Sequence, residues 1–161
     1  VSDESVSLVD SVQGPYSQNL AQDCGDFLVR RSDGAFAYQL AVVVDDAAQG
    51  VNSVVRGVDL LCSTPQQMHL QTLLSLPHPA YAHIPLLVAE RDRRLSKRDC
   101  DASLDALLSR FKTPEALLGH IAGLTGLAPT GDPATPEELL GTFDLAALPD
   151  ALADPVQILW R

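Results

Sequence analysis

The chain has 161 residues, which is enough for one domain of ordinary size or for one domain with a small appendage. With 46% hydrophobic and 20% charged residues it has the composition of a soluble globular protein, and no apolar run of about 18 residues suggests a membrane span. The formal net charge of -10 would by itself argue against nucleic acid as a partner, since phosphate binding depends on Lys and Arg.

The cysteines and the first residues indicate a cytoplasmic protein. Cys24, Cys62 and Cys100 form no CxxC pair, so we expect reduced thiols rather than a disulfide framework or a self-contained zinc site. The opening "VSDESVSLVD" lacks the basic and apolar regions of a signal peptide, and there is no initiator Met. We therefore expect the chain to begin partway into a longer protein.

The first predicted elements form a hairpin. "GDFLVRR", residues 25–31, is typical of a short strand, and "SDG", residues 32–34, of a tight turn. "AFAYQLAVVVDD", residues 35–46, is an apolar run too mixed to assign by period, so we expect a hairpin that leads into buried structure. Tyr38 lies within this run, where a tyrosine is ordinarily a core residue with its hydroxyl satisfied.

Strand, helix and strand follow one another next. "VNSVVRG", residues 51–57, is rich in Val and ends in Gly, and "AYAHIPLLV", residues 80–88, is a further strand candidate. Between them, residues 63–77 predict a helix of about three turns. This succession indicates a parallel α/β arrangement with a right-handed crossover.

The predicted helix has a clear start and an apolar face. Ser63 or Thr64 is the expected cap, with Pro65 at the first helical position. The residues expected to face the core are Met68, Leu73, Leu74 and Leu76.

A basic loop follows the last strand. "RDRRLSKRD", residues 91–99, contains five of the eleven Lys and Arg residues of the chain. Such a charge run is ordinarily a solvated turn, but it could also grip an anionic ligand. In α/β sheets ligands bind beyond the carboxyl ends of the strands, which would put this loop and Arg56 on the same side. Arg56 could offer a bidentate fork to a carboxylate or phosphate, or it could pair with Asp59 or another acid.

Helical signals fill the remainder of the chain. Thr113 before Pro114 and Thr135 before Pro136 are predicted helix caps, and Gly126 is placed to end the first of these helices. "APTGDPAT" is the predicted linker between them. We therefore divide the chain into an α/β part, residues 1–100, and a helical unit, residues 101–161.

Four segments in this order resemble the second half of the catalytic domain of glutamyl-tRNA synthetases and their shortened relatives, the glutamyl-queuosine tRNA(Asp) synthetases. They are "GDFLVRRSDGAFAYQLAVVVDDAAQG", "VVRGVDLLCSTPQQ", "HIPLL" and "RLSKR". "FAYQLAVVVDD" and "DLLCSTP" are most similar to the shortened relatives. The resemblance covers residues 13–100, and "TPEALLGHIAGLTG" and "LLGTFDLAALP" resemble the helices that follow in the synthetases. It implies an α/β fold, the second half of a class I Rossmann-like catalytic domain with a small helical carboxyl-terminal unit.

The resemblance implies an ATP site around the basic loop. "RLSKR" is similar to the KMSKS signature, so Lys97 would be the catalytic residue that stabilises the phosphates of ATP, bound with Mg²⁺, as the adenylate forms. Ser96 matches the serine of the signature, and Arg94 stands where relatives usually have lysine. Leu87 falls where relatives hold adenine through backbone groups.

It also implies a glutamate pocket. Tyr38 and Arg56 match the tyrosine and arginine of that pocket, and Leu60 matches a neighbouring residue. Gln66 departs from the arginine common in the family's "STPRQ". His83 could lie near the nucleotide, although a core histidine satisfied by the backbone is the favoured reading.

The implied activity is ATP-dependent activation of glutamate and its transfer to tRNA, preferentially to queuosine in the tRNA(Asp) anticodon loop. One alternative is a fragment of a glutamyl-tRNA synthetase that charges tRNA(Glu), and another is a non-catalytic binding module. The family's HIGH-type motif and its zinc segment belong to an amino-terminal half that this sequence does not contain. We therefore assign no metal here, expect the chain alone to be inactive, and take glutamate, ATP and tRNA as partners, with no membrane.

Overall fold

The computed structural model describes residues 1, 3–90, 93–94, 104–128, 130–144 and 157–159. Residue contacts divide the chain into two compact units, Val1–Ile84 and Pro85–Arg161. The boundary predicted at residue 100 lies outside the described residues and stays a prediction. None of the helices within the described ranges is long and apolar enough to cross a membrane.

The first unit begins with a β-hairpin that the sequence analysis did not predict. Strand β1, Ser5–Asp10, pairs antiparallel with β2, Gly14–Asn19, and Gly14 has a left-handed φ of 73° at the turn. The short helix α1, Leu20–Asp23, follows directly. The hairpin escaped prediction because Gly, Pro and Asn, which are depleted in strands, occupy part of β2.

The apolar run after the predicted tight turn is a helix. The turn itself is confirmed, because Arg30 and Phe36 form an antiparallel bridge around it, but no longer strand surrounds that bridge. Helix α2, Tyr38–Gln49, then ends at Gly50, whose φ of 71° is left-handed. The hairpin expectation was wrong here because consecutive Val residues favour strands locally, whereas packing of Val43 into the core favours the helix.

The predicted parallel strand pair is confirmed. Strand β3, Ser53–Gly57, and strand β4, Ala80–Ile84, run parallel, and Arg56 lies opposite His83 in their register. A 3₁₀ helix, Val58–Ser63, joins β3 to the helix described next. The register matters for the site because it brings two long polar side chains together at the carboxyl ends of the strands.

Helix α3, Thr64–Leu73, connects the two strands, with Pro65 in its first turn as predicted. Ser63 is the N-cap residue but makes no side-chain cap bond. Leu73 and Leu74 were expected in the core and are 66% and 45% exposed, so that part of the prediction was wrong. The face that α3 buries is largely polar and comprises Thr64, Pro65, Gln67, Leu70 and Gln71. A search for apolar spacing misses such a face, because its glutamines donate to other polar side chains, Gln67 to Gln39 and Gln71 to the Tyr81 hydroxyl.

The described residues of the second unit form a small sheet and three helices. Strand β5, Leu86–Glu90, pairs antiparallel with β6, Arg93–Arg94, and parallel with β7, Gln157–Leu159. The single strand predicted over residues 80–88 is therefore two strands, β4 and β5, which meet at Pro85. Proline has no N–H to donate to a ladder, which explains the interruption.

Two predicted threonine caps begin the later helices. Helix α4, Leu104–Phe111, precedes α5, Pro114–Leu124, and α6, Pro136–Thr142. The Thr113 side chain accepts from the Ala116 N–H, and Thr135 forms a capping box with Glu138.

The segment that connects α5 to α6 packs directly on α5, since a Cβ at Gly119 would overlap the Asp132 carbonyl.

Candidate functional site

Arg56 is held by three contacts near the end of β3. Its Nε donates to Nε2 of His83 at 3.0 Å, and its Nη2 donates to Oγ1 of Thr64 at 2.8 Å. The guanidinium carbon also lies 5.5 Å from the centre of the Tyr81 ring, a cation–π distance. The side chain is half-buried. Its orientation is therefore fixed before any ligand arrives.

Thr64 links Arg56 to the turn that contains Leu60. Its hydroxyl accepts from Arg56 and donates to the Leu60 carbonyl at 3.3 Å. The same oxygen lies 3.2 Å from His83 Nε2. Thr64 is 0% exposed, so its hydroxyl is held within the fold. The cation that this hydroxyl contacts is the Arg56 guanidinium. Two residues predicted for the glutamate pocket, Arg56 and Leu60, are thus brought together.

His83 is a buried histidine whose ring pairs with a carboxylate. Nδ1 lies 2.6 Å from Oδ2 of Asp10, and both side chains are 0% exposed. Burial lowers the pKa of His83, although the hydrogen bond and charge of Asp10 act in the opposite direction. The imidazole is therefore neutral near pH 7. The core reading of His83 is confirmed, but the ring is satisfied by a side chain rather than by the backbone.

Asp10 is an ionised carboxylate despite its burial. Burial alone would raise its pKa, but N–H donors from His83, Gln13 and Val12 hold that pKa below its usual range. Oδ1 accepts the backbone N–H groups of all three residues at 2.9 to 3.0 Å. Gln13 also donates its side-chain amide to the His83 carbonyl at 2.6 Å. The turn between β1 and β2 is thereby fixed against β4.

Tyr38 is an accessible phenol at the start of α2. It is 54% exposed, so the core position favoured by the residues alone was wrong, whereas the pocket role implied by the resemblance stays a prediction. The next residue, Gln39, joins α2 to α3, since it donates to Gln66 at 2.9 Å and accepts from Gln67 at 2.7 Å. Gln66, which stands where arginine is common in the resembled family, therefore makes a structural contact with Gln39. Among the described contacts, none joins Tyr38 directly to Arg56.

The residues predicted for ATP belong to the second unit. Leu87 lies in β5 and Arg94 in β6, and only their backbone is described. Ser96 and Lys97 lie outside the described residues. These four roles stay predictions. The described part of the chain has no group of three His, Cys, Asp or Glu side chains that could hold a metal ion.

Sequence reasoning missed Asp10 and the part that Thr64 plays. An aspartate that accepts backbone N–H groups two and three residues later is typical of a turn, so the local role of Asp10 had a signal. Its contact with His83, 73 positions away, had none. Thr64 was interpreted only as a helix cap, whereas its hydroxyl contacts Arg56.

A known protein family matches most of this chain. The family model described as class I tRNA synthetases (E and Q), catalytic domain, matches residues 2–145. A glutamyl-Q tRNA(Asp) synthetase of Symbiobacterium thermophilum is 45% identical over 157 residues, which are 97% of this chain and 47% of that protein. One from Nocardia farcinica is 49% identical over 142 residues, 88% of this chain and 43% of that protein. The chain spans about half the length of these relatives.

Solved structures show the same fold. A glutamate tRNA ligase from Elizabethkingia meningosepticum, in complex with its amino acid, has a TM-score of 0.75 at 23% identity and aligns with 97% of this chain and 34% of its own. The glutamate-tRNA synthetase of Elizabethkingia anophelis has a TM-score of 0.76, also at 23% identity, over 98% of this chain and 35% of its own. This likeness confirms the α/β fold class predicted from the sequence.

Proposed function

This chain belongs to the class I tRNA synthetases (E and Q), catalytic domain, and on that premise we propose that it supplies the second half of an enzyme that activates glutamate with ATP and transfers it to tRNA. The preferred acceptor in this proposal is queuosine in the anticodon loop of tRNA(Asp). Support for that acceptor comes from the names of relatives at 45% and 49% identity. The setting is the cytoplasm.

The observation that carries the proposal is the fixed guanidinium of Arg56. Its Nε and Nη2 donate to His83 and Thr64, along one side edge of the planar group. Among the described hydrogen bonds, none engages Nη1. The terminal edge, formed by Nη1 and the second proton of Nη2, can therefore donate two parallel hydrogen bonds to a carboxylate. Glutamate offers such a group at its side chain.

Tyr38 and Leu60 complete the proposed glutamate pocket. An exposed phenol can donate one further hydrogen bond to a carboxylate or accept one from an ammonium group. Leu60 supplies half-buried apolar surface beside the methylene groups of the substrate. A pocket that hydrogen-bonds the side-chain carboxylate rejects analogues that lack it, because its own polar groups would remain unpaired.

The ATP half of the reaction is assigned to the basic loop. Lys97 would neutralise the charge that gathers on the α-phosphate and on the departing pyrophosphate while the glutamate carboxylate attacks. Arg94 and Ser96 would contact the phosphates of MgATP, and backbone groups of Leu87 would hold adenine. The assignment of these roles rests on the "RLSKR" segment.

A glutamyl-tRNA synthetase that charges tRNA(Glu) is the second candidate. It is favoured by the helices after residue 101, whose sequence resembles the synthetases, whereas the segments near Tyr38 and Leu60 resemble the queuosine enzymes. The two candidates share the activation step and differ in the acceptor. An acceptor comparison therefore separates them.

The deciding experiment measures both steps in the full-length enzyme. Glutamate-dependent pyrophosphate exchange tests activation, and labelled glutamate is then offered to tRNA(Asp) with queuosine, to tRNA(Asp) without it, and to tRNA(Glu). We expect exchange, and transfer only to the queuosine-containing tRNA. Transfer to tRNA(Glu) alone would support the second candidate. Absence of exchange with glutamate would refute both and favour the non-catalytic module. The 161-residue chain alone is expected to show no exchange.

A further inference from the structure

Four side chains form one continuous hydrogen-bonded row in the first unit. It runs from Asp10 through His83 to Arg56 and on to Thr64, with distances of 2.6, 3.0 and 2.8 Å. We propose that Asp10 and His83 are positioning residues, which select the edge of the Arg56 guanidinium that faces the substrate carboxylate. This inference deepens the proposed function and rests on it, because glutamate is the ligand whose carboxylate is meant.

The proton positions between Asp10, His83 and Arg56 follow from the first contact. Oδ1 of Asp10 already accepts three backbone N–H groups, and the ionised Oδ2 can only accept. Nδ1 of His83 must therefore carry the proton at that 2.6 Å contact. In a neutral imidazole Nε2 is then an acceptor, which suits the Nε–H of Arg56. The tautomer of His83 is thus set by a carboxylate on the far side of the ring.

The fixed tautomer decides what Arg56 presents. With Nε and one Nη2 proton occupied by His83 and Thr64, the terminal edge with two parallel N–H groups is the one left to a ligand. If Nε2 of His83 carried a proton instead, that proton could go to Oγ1 of Thr64 at 3.2 Å, but two N–H groups would still face each other across the 3.0 Å between Arg56 and His83. The Arg56 side chain would have to rotate, and its terminal edge would no longer face the substrate carboxylate.

Asp10→Asn tests the positioning role of Asp10 with almost no change of shape. The remaining Oδ1 can still accept the three backbone N–H groups, but the new amide donates to Nδ1 and so forces the proton of His83 onto Nε2. We expect the KM for glutamate to rise about tenfold, the effect of losing one charge-assisted alignment, and the KM for ATP to change less than about twofold. The kinetics are measured by pyrophosphate exchange in the full-length enzyme.

Gln13→Met is the matched control. Gln13 lies in the same turn, is buried, and donates to the backbone carbonyl of His83 at 2.6 Å, but it is not part of the row. If the turn merely supports β4, both variants should raise the glutamate KM alike. If the row positions Arg56, Gln13→Met lowers stability and leaves the glutamate KM unchanged. An equal rise of that KM in the two variants contradicts the proposal.

Two substitutions of His83 provide a test if Asp10→Asn does not fold. His83→Asn keeps a donor towards Asp10 but offers no acceptor within reach of Arg56, whereas His83→Gln can place its carbonyl near the position of Nε2. The positioning role predicts that His83→Gln keeps the glutamate KM closer to that of the wild type than His83→Asn does. His83→Asn is nevertheless expected to be the more stable variant, because it keeps the buried Asp10 carboxylate paired. If the more stable variant also had the lower glutamate KM, the positioning role would be refuted.

Nitrogen spectroscopy provides a readout independent of activity. In the full-length enzyme labelled with ¹⁵N-histidine, the buried imidazole should carry its proton on Nδ1 near pH 7, and in Asp10→Asn on Nε2. A wild-type proton on Nε2 overturns the inference whatever the enzyme activates. If the tautomer is as expected but glutamate is not activated, the proposed function fails, and the row is retained as the device that orients Arg56.

Discussion

Oγ1 of Thr64 lies 2.8 Å from Nη2 of Arg56 and 3.3 Å from the carbonyl oxygen of Leu60. One hydroxyl thus fixes a cation and a turn at the same time. Thr64→Val keeps the shape and removes both bonds, together with the 3.2 Å contact to Nε2 of His83, which leaves the Leu60 carbonyl with one partner fewer. We expect the free energy of unfolding to fall by about 1 to 2 kcal/mol and the glutamate KM to rise severalfold. Urea unfolding and pyrophosphate exchange measure the two effects, with Thr64→Ser, which keeps the hydroxyl, as the control.

Arg56→Ala removes the proposed carboxylate partner altogether. Loss of a bidentate, charge-assisted contact should cost about 2 to 3 kcal/mol, seen as a higher KM for glutamate in the activation assay. Arg31→Ala is the matched control, since Arg31 is an exposed arginine of the same unit that pairs with Asp33 at 2.8 Å. The assignment of Arg56 fails if kcat and the glutamate KM of its variant equal those of the control.

The buried His83 makes stability depend on pH in a defined direction. Its pKa is lowered by burial, so below its ordinary value of 6.5 the unfolded chain binds a proton there that the folded chain does not. The free energy of unfolding should therefore fall by about 1 kcal/mol between pH 7.5 and pH 5.5. Asp10, whose pKa is also lowered, adds a further loss only below its ordinary value of 3.8.

Denaturant titrations at the two pH values, on wild type and on two Asn variants, isolate the histidine. His83→Asn should abolish most of the fall, whereas His78→Asn, at an exposed position, should keep it. An unchanged pH dependence in the His83 variant would mean that another group titrates.

Lys97→Ala should act on the reaction more than on binding. If the ammonium follows charge that develops on the phosphates, kcat for adenylate formation falls by about two to three powers of ten, while ATP binding weakens much less. Pyrophosphate exchange and equilibrium ATP binding measure the two quantities in the full-length enzyme. Arg98→Ala, in the same basic run, is the control for loss of one positive charge. Equal and small effects of both variants would favour the solvated-turn reading.

Gly119→Ala should destabilise the second unit. A Cβ there would overlap the carbonyl of Asp132, where the segment before α6 packs on α5. Gly141→Ala is the matched control, because it also lies in a helix and nothing is within 4 Å of its Cβ position. We expect the first variant to lose about 1 to 3 kcal/mol and the second to gain up to about 1 kcal/mol. Thermal unfolding of both variants checks the difference in sign.

The parts of the fold that follow local rules could be predicted from the sequence. Short local patterns predicted β3, β4 and the threonine caps of α5 and α6. Runs of strand-forming residues, prolines and cap residues each indicate structure within a few positions of themselves. The helical state of residues 38–49 could not be, since tertiary packing there overrides a strand-like composition.

The candidate site also has one part that could be predicted from the sequence and another that could not. Arg56 was found because an arginine at a strand end is visible in the sequence. Its partners were not, because the row from Asp10 to His83 depends on how distant segments pack, and because a polar helix face has no hydrophobic period. The residues alone favoured a buried Tyr38, because it lies in an apolar run, yet the first turn of α2 exposes it. Its assignment to the glutamate pocket came from the resemblance and stays a prediction.

The separation of 73 positions between Asp10 and His83 has a kinetic consequence. Closing so long a loop costs chain entropy that no local contact offsets, so we expect contacts of this kind to form late on the folding pathway. During synthesis the turn after β1 would leave the ribosome long before His83 does, and Asp10 would meanwhile be a solvated carboxylate. Arg56 can acquire its orientation only when β4 has been made. We therefore expect the surface proposed to bind glutamate to refold slowly, after secondary structure has returned.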